Sequence, residues 1–302
     1  MKCSKPTIVV FGCTGTVGKE VMHQLSLSTC MIRGVLRSPD RAYPIKPTHQ
    51  APMVHYVSVD VNSSSQLARA CLNADAVFLL TATAPDQVAT EIKIIKAAQK
   101  VGVRRIVKLS APLVTPPAKV EVSNWHREIE AYLAQTTLDY CCLRPYAFMQ
   151  NWERNAISIQ RLGKLFGSLG QAARNYIDCR DVAEVAVRKL LAREPLDGES
   201  ITLCGPEAIT NYDMAERLSY VATHKIEYID LSPDAFFRTL TKRAKLPKWL
   251  ANHLVELDDF ALKVAEPSTD TLSPLLNRKP RIMDAYLQES RHLFGRRPIW
   301  RF

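Results

Sequence analysis

The sequence predicts an α/β fold in which a doubly wound parallel sheet is followed by a smaller, mostly helical C-terminal lobe. Three observations support this prediction. Short, almost continuously apolar segments alternate with helical patterns up to Arg144, a glycine-rich turn follows the first apolar segment, and the alternation then gives way to irregular, mostly helical sequence. Strands that are apolar on both faces and separated by helices are typical of parallel sheets covered on both sides.

The first half of the chain predicts six strands with helices between them. Ser63 is suited to cap a helix, and Pro85 lies at the start of another, where its missing N–H does no harm. Predicted strands cover residues 7–11, 32–37, 54–59, 76–80, 105–109 and 138–143, and predicted helices cover 17–27, 63–72, 85–100 and 123–134. Right-handed crossovers make such a sheet doubly wound, and its ligands bind at the carboxyl ends of the strands.

The second half is less regular and predicts the smaller lobe. Predicted helices cover 181–192 and 246–264, and predicted strands cover 200–203 and 226–229. We therefore expect a Rossmann domain, residues 1–150, and a substrate-binding lobe, residues 151–302. The two are expected to be partly interleaved, because some later strands extend the first sheet.

Composition excludes several classes of protein. With 302 residues, 47% hydrophobic and 23% charged, the chain has an ordinary globular composition, and no apolar run approaches the ~18 residues of a membrane span. The apolar stretch from Ile8 stops at Gly12, which is too short for a signal peptide. We therefore expect a cytoplasmic protein that does not associate with membranes.

The net charge of +10 is spread along the chain without interleaved aromatic residues. This distribution favours an anionic small ligand, such as a phosphorylated cofactor, over nucleic acid. The eight cysteines include no C-x-x-C pair, so reduced structural thiols are expected and no metal site.

The glycine-rich turn predicts a nucleotide cofactor. Gly12, Gly15 and Gly18 form a G-x-x-G-x-x-G pattern between the first strand and the first helix. In a dinucleotide-binding turn these glycines allow a tight bend, a close approach of the pyrophosphate and close packing of the helix. The free N–H groups of the helix start then bind the pyrophosphate. The residues expected to bind it are Gly12, Thr14, Gly15, Thr16, Val17 and Gly18.

The end of the second strand favours NADP(H) over NAD(H). An NAD site has Asp or Glu there for the ribose 2′-hydroxyl, whereas this strand is followed by Arg37 and Ser38. The guanidinium is suited to a 2′-phosphate, with the serine hydroxyl beside it. Asp40 follows a proline and is expected to point to solvent. The alternative is that Arg37 is only a solvated charge.

Further cofactor contacts are expected after the next strands. Asp60 is placed to accept a hydrogen bond from the adenine amino group, or alternatively belongs to the start of a helix. Thr81 and Ala82 are expected to pass over the adenosine side, and Ser110 to lie near the nicotinamide.

Nine segments of the chain together resemble a known family. They are residues 12–18, 36–38, 60, 107–110, 126–130, 143–151, 176–183, 198–200 and 279–281. In these segments the chain resembles the NmrA-like atypical short-chain dehydrogenases/reductases. The resemblance implies NAD(P)(H) binding and a region around Pro145 and Tyr146 that wraps the nicotinamide and substrate. It does not specify a substrate, since members include quinone and dye reductases, plant isoflavone reductases and cofactor-sensing regulators without turnover.

The usual proton donors of such enzymes are missing. None of the ten tyrosines is followed by lysine at the fourth position, as Tyr-x-x-x-Lys requires, and no lysine occurs between Lys119 and Lys164, where the isoflavone-reductase-like branch has one. A simple ketone needs a proton donor at its oxygen. An electron-poor acceptor, whose developing charge is delocalised, needs mainly close placement against the nicotinamide and exclusion of water.

The candidate catalytic residues are therefore His126, Ser110 and Tyr146. His126 is the best remaining acid, because its pKa lies near working pH; the alternative is an exposed helix-start histidine paired with Glu130. A cluster rich in aromatic residues follows the sixth strand and suits a flat acceptor, or alternatively packs as core. It consists of Tyr146, Phe148, Met149, Asn151 and Trp152.

The sequence predicts an NADPH-dependent reductase that transfers hydride to a flat, electron-poor organic acceptor: a quinone, an iminium or a conjugated carbonyl. The expected partner is a small aromatic or conjugated substrate, and a homodimer is an open alternative for the assembly. The alternative function is a non-catalytic NADP(H)-sensing regulator that binds a protein partner.

Overall fold

The computed structural model describes residues 5–38, 54–113 and 120–295. Clustering of contacts divides the chain into two compact units. As far as they are described, the first comprises Met1–Leu113, Val122–Pro145 and Cys179–Leu203, and the second comprises the remainder. Among the described residues, no helix has both the length and the apolar character needed to cross a membrane.

The first unit contains a parallel sheet built from seven of the described strands, in the order β10-β6-β5-β4-β1-β2-β3. Every neighbouring pair is parallel, so the chain reverses its direction of winding between β1 and β4. These strands are β1 Thr7–Val10, β2 Met31–Leu36, β3 Val54–Ser58, β4 Ala76–Leu79, β5 Arg105–Leu109, β6 Asp139–Pro145 and β10 Glu199–Leu203. β10 comes from the part of the chain after residue 151.

Helices cover both faces of this sheet. On one face, apolar residues of α2, α3 and α4 share a core with Val9, Val77 and Ile106 of the strands. On the other face, α1 packs against α6, which also contacts β4, β5 and β6. The helices are α1 Thr16–Ser26, α2 Ser64–Cys71, α3 Gln87–Lys100, α4 Glu121–Leu133 and α6 Cys179–Leu191.

Strand β5 carries polar side chains toward both faces. Because side chains alternate along a strand, Ile106 and Lys108 face α3 and α4, and Arg105 faces α6. Arg105 donates from Nε to Asp139 at 2.8 Å and from Nη1 to the Lys189 carbonyl at 3.2 Å. Arg105 therefore ties β5 to β6 and to the last turn of α6.

The second unit has its own apolar core and two small sheets. Its three-stranded sheet has the order β11-β9-β7, and β8 pairs with β12. Its strands are β7 Ala147–Phe148, β8 Lys164–Gly167, β9 Ala173–Ile177, β11 Ala208–Thr210 and β12 Glu227–Asp230. Its helices are α5 Ala156–Leu162, α7 Asn211–Ala222, α8 Pro233–Arg238, α9 Lys248–Lys263, α10 Ser273–Leu276 and α11 Met283–Glu289.

Candidate active site

The turn between β1 and α1 has no room for side chains at two of its glycines. Gly12 has a φ of +68°, and a Cβ on it would lie 2.6 Å from the Leu80 carbonyl oxygen. A Cβ on Gly18 would lie 2.0 Å from the Gly12 carbonyl oxygen. The turn therefore closes on the end of β4 and on the first turn of α1.

The N-terminus of α1 is suited to bind an anion. Gly15 is the N-cap residue and has no side chain to cap the helix, and the first turn carries no acidic residue. Gly15 and Thr16 are exposed, whereas Val17 and Gly18 are buried. Backbone N–H groups and the positive end of the helix dipole are the features that bind pyrophosphate. The turn fits the pyrophosphate of a dinucleotide by both space and charge.

The residues predicted around the adenosine follow β2, β3 and β4. Arg37 is exposed directly after β2, and Ser38 is half-buried. Asp60 accepts a hydrogen bond from the Asn62 N–H at 2.9 Å through Oδ1, in the turn before α2. Asp60 thus stabilises the turn that leads into α2, which is the alternative role given above. Its contact with adenine stays a prediction. Asp40 lies outside the described residues.

Thr81 connects the end of β4 to the buried carboxylate of Glu91 on α3. Its hydroxyl donates to Glu91 Oε1 at 2.9 Å, and Gln87 Nε2 donates to the same oxygen at 3.1 Å. Ala82 is exposed. The contacts of Thr81 and Ala82 with the cofactor stay predictions.

A buried cluster of charged and polar residues joins α3, β5 and α4, and it consists of Glu91, Lys108 and His126. Glu91 and Lys108 are fully buried, and His126 is 7% exposed. Lys108 Nζ lies 2.8 Å from Glu91 Oε2, 3.1 Å from the Leu109 carbonyl oxygen and 3.0 Å from His126 Nδ1. The carboxylate and the carbonyl oxygen accept from the ammonium, and Nδ1 accepts in the tautomer that carries the ring proton on Nε2, so the buried charge is compensated.

A second network lies at the end of β5 and β6. Ser110 Oγ donates to Glu130 Oε1 at 2.5 Å, and Arg144 binds both oxygens of the same carboxylate. Ser110 is buried, and its N–H donates to the Leu143 carbonyl at 2.7 Å. Because its proton is held by Glu130, the Ser110 oxygen is oriented to accept a hydrogen bond from another group.

The alternative prediction for His126, an exposed histidine at the start of a helix, is wrong. His126 lies inside α4, which begins at Glu121, and is buried against β5. The sequence does not predict two residues of its environment, Lys108 and Glu91. The signal that could have found them is the lysine within the apolar strand segment Arg105–Leu109, because a lysine buried on a sheet face requires an anionic partner.

Pro145 is the last residue of β6 in the first unit, and Tyr146 begins the next part of the second. Burial raises the pKa of Tyr146 to about 12, with Cys204 and Glu266 acting in the same direction. Tyr146 is therefore a weak proton donor near neutral pH. Met149 and Trp152 are buried in the core of the second unit, where the ring centroid of Trp152 lies 5.5 Å from that of Tyr176.

The cysteines in the described part of the chain are poorly suited to act as thiolate nucleophiles. All seven cysteines there are buried, and none of them forms a disulfide. Burial raises the pKa of Cys13 to about 11 and that of Cys142 to about 12, so neither thiol is ionised near neutral pH.

Comparison with known proteins gives consistent matches. A family profile described as NAD(P)H-binding matches residues 12–193. The chain is 28% identical over 275 residues to an NAD(P)H azoreductase of Xenophilus azovorans, covering 91% of this chain and 92% of that protein. It is 33% identical over 231 residues to a (4-alkanoyl-5-oxo-2,5-dihydrofuran-3-yl)methyl phosphate reductase of Streptomyces griseus subsp. griseus, covering 76% and 78%.

Among solved structures, the chain is similar to an NADPH-dependent quinone oxidoreductase of Escherichia coli in complex with NADPH. The TM-score is 0.82 at 24% identity, and the match covers 95% of this chain and 99% of that one. This likeness confirms the predicted doubly wound fold.

Proposed function

Because the chain belongs to the NAD(P)H-binding family and is an NAD(P)H-dependent oxidoreductase, we propose that it uses NADPH to reduce a flat, electron-poor organic acceptor. The acceptor would be a quinone, an iminium or a conjugated carbonyl. When bound, the dinucleotide would supply the hydride; a quinone or a conjugated carbonyl would then take a proton from solvent, whereas an iminium is fully reduced by the hydride alone. The relatives named as azoreductase and quinone oxidoreductase support acceptors of this kind.

The residues proposed to bind the cofactor divide into four groups. The turn around Gly15 and the start of α1 would bind the pyrophosphate. Arg37, with Ser38, would bind the 2′-phosphate, which gives the preference for NADPH. Asp60, Thr81 and Ala82 would lie along the adenosine, and Ser110, Pro145 and Tyr146 near the nicotinamide.

One observation carries the proposed acceptor class: two of the three candidate catalytic residues, Ser110 and Tyr146, are poorly suited to donate a proton. The Ser110 hydroxyl donates its hydrogen bond to Glu130, the Lys108 ammonium is held by the Glu91 carboxylate and the Leu109 carbonyl, and burial raises the pKa of Tyr146 to about 12. Such a site favours an acceptor that spreads its developing charge over a conjugated system. Placement of the acceptor against the nicotinamide then supplies most of the rate.

The test is NADPH oxidation with a panel of acceptors. A quinone, an azo dye and a conjugated enone are compared with a saturated ketone of similar size. We expect turnover with at least the quinone and little with the saturated ketone. NADPH binding without oxidation by any acceptor, together with cofactor-dependent capture of a protein partner, would instead support the regulator.

A further inference from the structure

A second pocket of the first unit lies at the edge of the sheet opposite to the candidate cofactor site. Its lining residues precede or begin β5, β6 and β10, and all of them belong to this unit. Because the strands are parallel, their amino ends lie across the sheet from the carboxyl ends where the cofactor is expected. The pocket has a volume of about 480 Å³, within the usual range of small-molecule sites. Its charged lining residues are Arg104, Arg105, Asp139, Arg193 and Asp197.

Two of these charges, Arg105 and Asp139, hold the pocket together. Arg105 is 2% exposed, and its Nε donates to Asp139 Oδ2 at 2.8 Å. Its Nη1 donates to the Ala192 carbonyl, and its Nη2 donates to the Glu194 carbonyl at 2.6 Å. The other oxygen of Asp139 accepts from the Leu196 N–H at 2.6 Å. This pair is therefore used by the fold itself and fixes the loop after α6 against the start of β5.

The guanidinium groups of Arg104 and Arg193 have no such structural use. Arg193 lies between the two residues whose carbonyls bind Arg105, and Arg104 directly precedes Arg105, so the pocket brings both together. Both side chains are exposed, and neither guanidinium has a hydrogen bond or an ion pair with another residue in the described ranges. Asp197 is the remaining acid of the lining, so one positive charge is in excess.

The rest of the lining offers a further donor and apolar surface. A Cβ on Gly198 would lie 3.1 Å from Tyr140 Oη, so the glycine leaves space beside this hydroxyl. Burial raises the pKa of Tyr140, which keeps the phenol protonated and able to donate. Leu138 and Pro195 also line the pocket and can contact an apolar group.

From this arrangement we propose that the pocket binds a small phosphate monoester that carries an apolar group, with Arg104 and Arg193 on the phosphate. A monoester has nearly two negative charges near neutral pH, and the planar guanidinium matches phosphate oxygens in pairs. A carboxylate has one charge and would use this pair of arginines less fully. The proposal goes beyond the proposed function, because it gives the protein a second small-molecule site away from the nicotinamide.

The first test is calorimetric titration of phenyl phosphate into protein saturated with NADPH, which blocks the turn between β1 and α1. We expect one site with a Kd of about 0.1–1 mM at low salt, and weaker binding as the ionic strength rises. Phenol, which lacks the phosphate, is expected not to bind. Displacement of NADPH by phenyl phosphate, or equal binding of phenol, would overturn the proposal.

The second test locates the site with the double variant Arg104→Gln with Arg193→Gln. We expect the Kd for phenyl phosphate to rise about tenfold or more, as loss of charged hydrogen bonds implies, and the Kd for NADPH to stay unchanged. The Tm should also stay close to that of the parent, because both side chains are exposed. Arg104→Lys with Arg193→Lys keeps the charge without the planar group and should give an intermediate loss.

The matched control is Arg69→Gln with Lys96→Gln, which removes two exposed cations of α2 and α3 that do not line the pocket. It is expected to change the Kd for phenyl phosphate by less than about twofold, through the net charge alone. Equal losses in the control and in the arginine double variant would show general attraction to a basic protein and overturn the proposal.

The outcomes are independent of those for the proposed function. If the protein oxidises NADPH with quinones but binds no phenyl phosphate, the pocket proposal fails and the proposed function stands. If it turns over no acceptor but binds phenyl phosphate through Arg104 and Arg193, the proposed function fails and the pocket proposal stands.

Discussion

At the residue scale, the charges of the first unit fall into two environments. Arg37 is exposed after β2, whereas Glu91 and Lys108 have no exposed surface. An exposed charge can be removed without a large effect on stability, but removal of one member of a buried pair leaves the other uncompensated. Arg37 is therefore the residue at which cofactor preference can be tested most simply.

Arg37→Ala is expected to raise the Kd for NADPH about 10- to 100-fold, as loss of a hydrogen bond to a charged group implies. The Kd for NADH should change little, because NADH lacks the 2′-phosphate. Fluorescence or calorimetric titration of both nucleotides measures this. Arg69→Ala, which removes an exposed arginine of α2, is the control. Equal losses for the two nucleotides would contradict the assignment.

The same scale shows where prediction from sequence stops. Residues 107–110 carry the family resemblance, but nothing local in the sequence indicates that Lys108 meets Glu91, which lies 17 residues earlier on another element. The sequence likewise marks His126 as a candidate acid without indicating its contact with Lys108. Pairings of this kind arise from packing of a strand against two helices and leave no periodic pattern in the sequence.

At the element scale, two glycines of the turn between β1 and α1 differ in the space around them, so one is expected to matter for packing and the other for ligand binding. A Cβ on Gly18 would meet the Gly12 carbonyl oxygen at 2.0 Å, whereas one on Gly15 would lie 3.3 Å from that oxygen, at a backbone φ of −78° that any residue adopts. Substitution of Gly18 should therefore disturb the fold, and substitution of Gly15 should disturb mainly the approach of a ligand.

Gly18→Ala is expected to destabilise the protein by about 1–3 kcal/mol, through overpacking, and to lower the Tm by several degrees. Gly15→Ala is expected to keep a Tm near that of the parent while weakening NADPH binding about tenfold or more. Thermal unfolding and nucleotide titration on both variants check this. A Gly15→Ala protein that binds NADPH as tightly as the parent would contradict the assigned role of the turn.

The strands of the first sheet could be predicted because they are apolar on both faces, but their ends depend on neighbours. β6, predicted to end at Leu143, continues to Pro145 because Arg144 and Pro145 pair with Thr202 and Leu203 of β10. β9 was not predicted as a full strand. Its Arg174 is paired with Glu266 at 3.3 Å, and its Asn175 donates to the Gly205 carbonyl at 3.0 Å, so polar residues are buried there.

At the scale of the whole molecule, the resemblance to NmrA-like proteins is confirmed by the NAD(P)H-binding family match and by the fold. The glycine-rich turn after β1 could be predicted from local pattern alone. The identity of the acceptor has no such pattern, because it depends on side chains that many separate segments bring together. The net charge of +10 is consistent with an anionic cofactor.

The most direct measurement is calorimetric titration of NADPH and NADH into the purified, folded chain. The account predicts binding of NADPH at a single site, tighter than NADH, with most of that preference lost in Arg37→Ala. No binding heat with either nucleotide, on protein shown to be folded by its thermal transition, would contradict it.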